Sequence, residues 1–158
     1  MNEIRLDSNG VMLRPTKRDL CIRKRAVEMA LPELMSYLGS DYVESEVIES
    51  VLKVIDGPDG YTITKTLELD GWCCGSRLVE IFDQDFIGDA LREQVKQWVK
   101  CLGVDLFISI GTPARSRGKE GVISKLYPET AEYGLRTEEQ PRTSYWVFPA
   151  EEVELVDK

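Results

Sequence analysis

SYWVFPAEEVELV, Ser144 to Val156, decides how the second half of this chain folds. Tyr145-Trp146-Val147-Phe148 has the aromatic and β-branched character of a strand. Pro149 fixes φ and has no backbone donor, so the ladder ends there. Ala150-Glu151-Glu152 reads as one acidic helical turn, after which Val153 to Val156 resumes as a closing strand. This ending makes Trp146 mainly a piece of architecture. It leaves Tyr145, on the alternate face, as the sharper binding candidate.

Working back from that stretch, turn signals recur every few residues from Val104: Gly111, Gly118, Gly121, YPETAEYG and EEQPRT. Short strands between such turns are the texture of a small all-β unit. GTPARSRGKEGVISKLYPETAEYGLR (Gly111 to Arg136) followed by TSYWVFPAEEVELV resembles an SH3-like small β-barrel of the bacterial kind, the type that includes KOW relatives. The resemblance covers about residues 106–156 and rests on turn chemistry and spacing. It implies a barrel of five short strands, closed by a last strand that buries Val153 and Leu155 against Val122, Ile123 and Leu135. Gly121 would allow a bend or a close backbone approach at the start of the second strand. Barrels of this kind bind peptides, nucleic acid, methylated side chains or neighbouring domains, so the resemblance names no partner.

The region 1–103 has a different texture. Asn9-Gly10, between Ile4, Leu6 and Val11, Leu13, reads as a small hairpin. Thr16 is placed to cap a helix over 17–30, with Asp19 at the third position. Pro32 opens a short helix over 33–38, which Gly39 ends. Ser40 or Asp41 caps a helix over 41–55 carrying Val43, Val47, Ile48, Val51, Leu52 and Ile55 at helical spacing. After Gly57-Pro-Asp-Gly60, the alternation of Tyr61, Ile63, Leu67 and Leu69 with threonines predicts a strand. DGWCCG then turns the chain into a second strand ending at Phe82, so 61–82 is expected as a hairpin. The apolar stripe Phe86, Ile87, Ala90, Leu91, Val95, Trp98, Val99 and Leu102 predicts a helix over 85–102, ended by Gly103. Helices, a hairpin and a helix followed by a barrel make the fold class α+β, with 104–158 as the barrel.

Composition narrows the function. The net charge is −8, which disfavours broad nucleic-acid binding while fitting solubility or mimicry of nucleic acid. Histidine is absent, which removes the commonest general base and metal ligand. The four cysteines, Cys21, Cys73, Cys74 and Cys101, include no C-x-x-C pair and read as reduced thiols. No apolar run has the length to cross a membrane, and MNEIRLDSNG has no basic-then-apolar pattern, so a cytoplasmic protein is expected.

The candidate binding residues are Tyr127, Tyr133, Tyr145 and Trp146 for an aromatic groove. Arg115, Arg117, Lys119 and Arg142 are the basic residues of the same unit. Arg23 and Lys24 belong to the basic run KRDLCIRKR. Asp83-Gln84-Asp85 is the compact carboxylate pair for a divalent metal, and helix capping explains it equally. The resulting expectation is a non-enzymatic binding or adaptor protein of a bacterium or phage, with a protein partner, no cofactor and no metal. The alternatives are an acidic phage-type inhibitor that occupies a nucleic-acid-binding target, and a small carboxylate and metal-dependent enzyme.

Overall fold

The computed structural model describes residues 5–141 and 143–156; Ile4 of the expected hairpin and Arg142 of the basic set lie outside them. The fold is α+β. Five helices, α1 (Leu20–Leu38), α2 (Glu44–Leu52), α3 (Gly60–Leu69), α4 (Ser76–Phe82) and α5 (Phe86–Leu102), precede the strands. These are β1 (Pro113–Ser116), β2 (Lys119–Tyr127), β3 (Glu132–Arg136), β4 (Trp146–Pro149) and β5 (Glu154–Leu155), with a one-turn 3-10 helix, Ala150–Glu152, between the last two. The chain forms two compact units, residues 1–95 and 96–158, so the division falls inside α5 rather than after it.

In the first unit, the turn at Asn9-Gly10 is stitched by Asp7, whose carboxylate accepts from the Asn9 and Val11 amides, and Leu6 bridges to Met12. The predicted cap at Thr16 is replaced by one at Asp19, and the helix begins three residues late. The Asp19 carboxylate accepts from the Thr16 amide at 2.8 Å and pairs with Arg5 at 2.7 Å, which holds the entering chain. The break expected at Pro32 does not occur. Ile22, Ala26, Val27, Ala30 and Leu34 form one buried stripe on both sides of the proline, and this packing outweighs the missing amide. The helix predicted over 41–55 is shorter at both ends, with Val43 rather than Ser40 or Asp41 at its N-cap.

The expected hairpin over 61–82 is overturned: both segments are helices. Asp59 caps α3 by accepting from the Thr62 amide at 2.7 Å. Gly60, Ile63, Thr64 and Leu67 are the buried residues of this helix, a spacing of three and four. Gly60 lies where α3 meets α4: a Cβ there would stand 2.3 Å from the Val79 carbonyl oxygen, so only glycine fits. Its amide donates to the Asp83 carboxylate at 2.9 Å. Gly71, at φ 93°, ends α3, with its own amide bonded to the Glu68 carbonyl and the Trp72 amide to the Leu67 carbonyl.

In the second unit the strands form one antiparallel sheet in the order β4-β3-β2-β1-β5. Ala114, Ile123, Tyr133, Leu135 and Phe148 from the strands, with Ile108 and Val153, make its core. β1 turns into β2 through Arg117-Gly118, both at positive φ (49° and 77°), the two-residue turn whose twist suits a hairpin. The register slips between Ile123 and Lys125, an irregularity that bends β2. Gly121 lies beside β3, where a Cβ would come 2.1 Å from the Arg136 carbonyl oxygen, so the expected close approach is present. The sheet does not close into a barrel: β4 and β5 are its two edges. Val153 is buried as expected, but Leu155 is 51% exposed, because β5 is only two residues long and pairs with β1 alone.

Candidate functional site

The two faces of the β2-β3-β4 ladder carry different aromatic groups, and the register explains why. Leu135 pairs with Trp146 and Tyr133 with Phe148, so Trp146 shares a face with the buried side chains. Trp146 lies beyond the core on that face and is 46% exposed. Beside it opens a groove of about 930 Å³, lined by Pro113, Gly121, Val122 and the 137–140 segment as well as charged residues. Lys119, Arg136, Glu120, Glu138 and Glu139 supply the charge. The Lys119 ammonium stands 4.4 Å from the centre of the Trp146 ring, a close cation–π contact.

The opposite face holds Lys125, Tyr127, Tyr145 and Val147. Gly134 opens the space for them: a Cβ there would lie 2.9 Å from the Tyr145 ring. Tyr145 therefore rests over β3 and reaches Tyr127, with 2.6 Å between the two hydroxyls. The hydrogen bond between them makes the phenols unequal. The bond to Tyr145, aided by desolvation, pushes Tyr127 up to about 12. The same bond, with the Lys125 charge nearby, lowers Tyr145. Lys125 also stands 5.0 Å from the centre of the Tyr127 ring. Both tyrosines are half-buried, so this face offers a ledge rather than a pocket.

The other predicted site residues have mostly structural duties. Tyr133 is buried at 1% exposure, and its hydroxyl accepts from the Ile108 amide at 3.1 Å, tying the segment before β1 to the sheet. It is not available to a partner. Arg115 pairs with Glu154 at 3.2 Å and Arg117 with Glu152 at 2.7 Å, so both brace β1 and its turn against the chain end. Arg23 donates to the Leu52 carbonyl at the end of α2 and is half-buried, whereas Lys24, next to it, is exposed. The sequence therefore grouped two neighbours that do different things.

Asp83 and Asp85 are likewise committed to backbone. Asp83 accepts from the Gly60 amide and Asp85 from the Gly88 amide at the start of α5, so capping accounts for both carboxylates. Among the described residues no three His, Cys, Asp or Glu side chains gather as a metal-binding group. Cys74 is half-buried, donates to the Thr64 carbonyl at 3.6 Å, and its thiol is pushed up by burial, the opposite of an activated nucleophile. No helix among the described residues is long and apolar enough to cross a membrane.

Sequence reasoning missed Glu120, Arg136, Glu138 and Glu139 as lining residues of one groove. The alternation along β2 and β3 could have placed Glu120 and Arg136 near each other, but the fold of the 137–140 segment has no pattern to read. No family model matches the chain, and no curated protein or solved structure shows significant similarity to it. The geometry of the groove thus carries the functional reading alone.

Proposed function

We propose that this is a non-enzymatic binding protein that captures a protein partner through its C-terminal sheet, which we read as an SH3-like unit. The strand order β4-β3-β2-β1-β5, with a 3-10 turn between β4 and β5, supports that reading. The observation that carries the function is the exposed ring of Trp146 on the wall of an open groove. A large aromatic anchor beside an open groove is a usual contact for an extended peptide segment. The bacterial or phage origin and the cytoplasmic setting belong to the same proposal.

The test is capture by the tagged full-length chain from an extract of the cells that make it. Trp146→Ala should lose the captured partner while the circular dichroism spectrum and the urea midpoint stay those of the parent. Unchanged recovery of the same partner by a folded Trp146→Ala protein refutes the proposal.

A further inference from the structure

We propose that the Trp146 groove recognises a basic side chain of the partner peptide, and that Lys119 occupies that place until the peptide displaces it. The inference rests on the reading of this groove as the partner surface. Its first support is the Lys119–Trp146 contact itself. At 4.4 Å it is shorter than the contacts of Lys125 with Tyr127 (5.0 Å), Lys65 with Tyr61 (5.6 Å) and Arg117 with Phe148 (5.8 Å). The indole face is therefore a site that accepts a cation, and it holds one from its own chain.

The second support is the charge left over. Glu120, Glu138 and Glu139 line the groove, and among the described residues none of the three has a side-chain hydrogen bond or ion pair. Three other acids of this unit are engaged, Glu129 with Lys96, Glu152 with Arg117 and Glu154 with Arg115, whereas Asp105 and Glu132 lie outside the groove lining. Once Lys119 leaves, the lining keeps three carboxylates against the one guanidinium of Arg136. A cation on the Trp146 ring meets stacking directly and the carboxylates only as the net charge of the groove, since none of them pairs with Lys119. A nucleic-acid strand would meet the same carboxylates and a chain of net charge −8, so a basic peptide is the occupant.

The third support is size and release. A groove of about 930 Å³ exceeds what one side chain fills, so flanking peptide can lie along it. Lys119 sits just after the Arg117-Gly118 turn on a flexible stem and can swing out without moving the strand.

The test is an NMR titration of the full-length chain with a short Gly/Ser peptide carrying one central Arg. The same peptide with citrulline, the neutral isostere, and a labelled oligothymidine are the comparison probes. The Arg peptide should shift the Trp146 indole signal and bind more tightly than the citrulline peptide. Lys119→Ala should bind the Arg peptide about two- to five-fold more tightly, the factor that an exposed cation–π contact supplies. Trp146→Ala should abolish binding, and Glu138→Gln with Glu139→Gln should weaken it while the amide spectrum stays folded.

Equal binding of the citrulline peptide, no gain in Lys119→Ala, no binding of the Arg peptide, or preference for the oligothymidine overturns the inference. If Lys119→Ala gives no gain but Trp146→Ala still loses the captured partner, this inference falls and the proposed function stands. If the Arg peptide behaves as expected while Trp146→Ala keeps its partner, only the proposed function falls.

Discussion

Leu67 and Leu69 stand two residues apart in a segment whose pattern fits a strand, yet they have opposite surroundings. Leu67 is wholly buried, in the same cluster as Leu34, Leu78 and Ile81, whereas Leu69 is 88% exposed at the end of α3. In a strand both would point to one face and be comparably covered. In a helix two residues apart means nearly opposite sides. Truncating Leu67 to Ala removes buried carbons and leaves a cavity, a loss of about 2–5 kcal/mol for such sites. Truncating Leu69 removes carbons that water already covers, so its effect should stay within about 0.5 kcal/mol. Urea unfolding of the two variants, followed by the helical circular dichroism signal, measures the difference, with the slope m checked for constancy. Similar destabilisation by Leu67→Ala and Leu69→Ala would refute the helical packing of α3.

Three further outcomes follow from particular atoms. Thr64 is buried and its hydroxyl has no hydrogen-bond partner among the described residues, so Thr64→Val should raise the urea-derived stability by about 1 kcal/mol; a loss would mean that the hydroxyl is satisfied. Gly121→Ala would drive a methyl into the Arg136 carbonyl on β3. Overpacking against backbone costs about 3 kcal/mol, offset by about 1 kcal/mol of reduced backbone freedom in the unfolded chain, so a net loss of about 2 kcal/mol should appear in the β2 and β3 amide signals during urea titration. In an ultraviolet pH titration, Tyr127→Phe should return Tyr145 upward toward the ordinary value, because the bond that chiefly lowers it is gone. In the parent, Tyr127 is raised from 10.0 to about 12, so its contribution to stability is full below pH 10 and is lost as pH rises toward 12. Tyr145 is lowered, so its contribution is present above pH 10 and is lost as pH falls through its folded value. Tyr127→Phe should flatten the alkaline loss, and an unchanged alkaline profile would sever the two phenols.

The sheet was legible because each of its turns has local chemistry. Arg117-Gly118, the Pro128–Ala131 loop and Pro149 place β1 to β4 within a few residues, and the Ala150–Glu152 turn follows from the proline. The α5 stripe was equally plain, since its apolar residues extend over several turns. The segment 61–69 was not. Ile63 and Leu67 are four apart, a spacing that fits a period of two as well as 3.6, and Thr62, Thr64 and Thr66 favour a strand by propensity. What overrides them is the local cap from Asp59 together with a remote contact, that of Gly60 with α4. Thr66 shows the accommodation directly, its hydroxyl bonding back to the Thr62 carbonyl at 2.9 Å within the helix.

The same division separates the site residues. The sequence by itself determined that Tyr127 and Trp146 lie on strands of one sheet, with Tyr145 just before the second of them, because alternation and turn residues are local properties. It also determined that histidine chemistry is absent. Only the tertiary structure decided which aromatic is exposed, because exposure depends on where the core ends. Tyr133 is sealed into that core, Trp146 lies past it at the groove, and Tyr145 is held down on the other face over Gly134. Charge followed the same rule. Composition could total the acids and bases, but only three-dimensional pairing left Glu120, Glu138 and Glu139 uncommitted beside a ring already covered by Lys119.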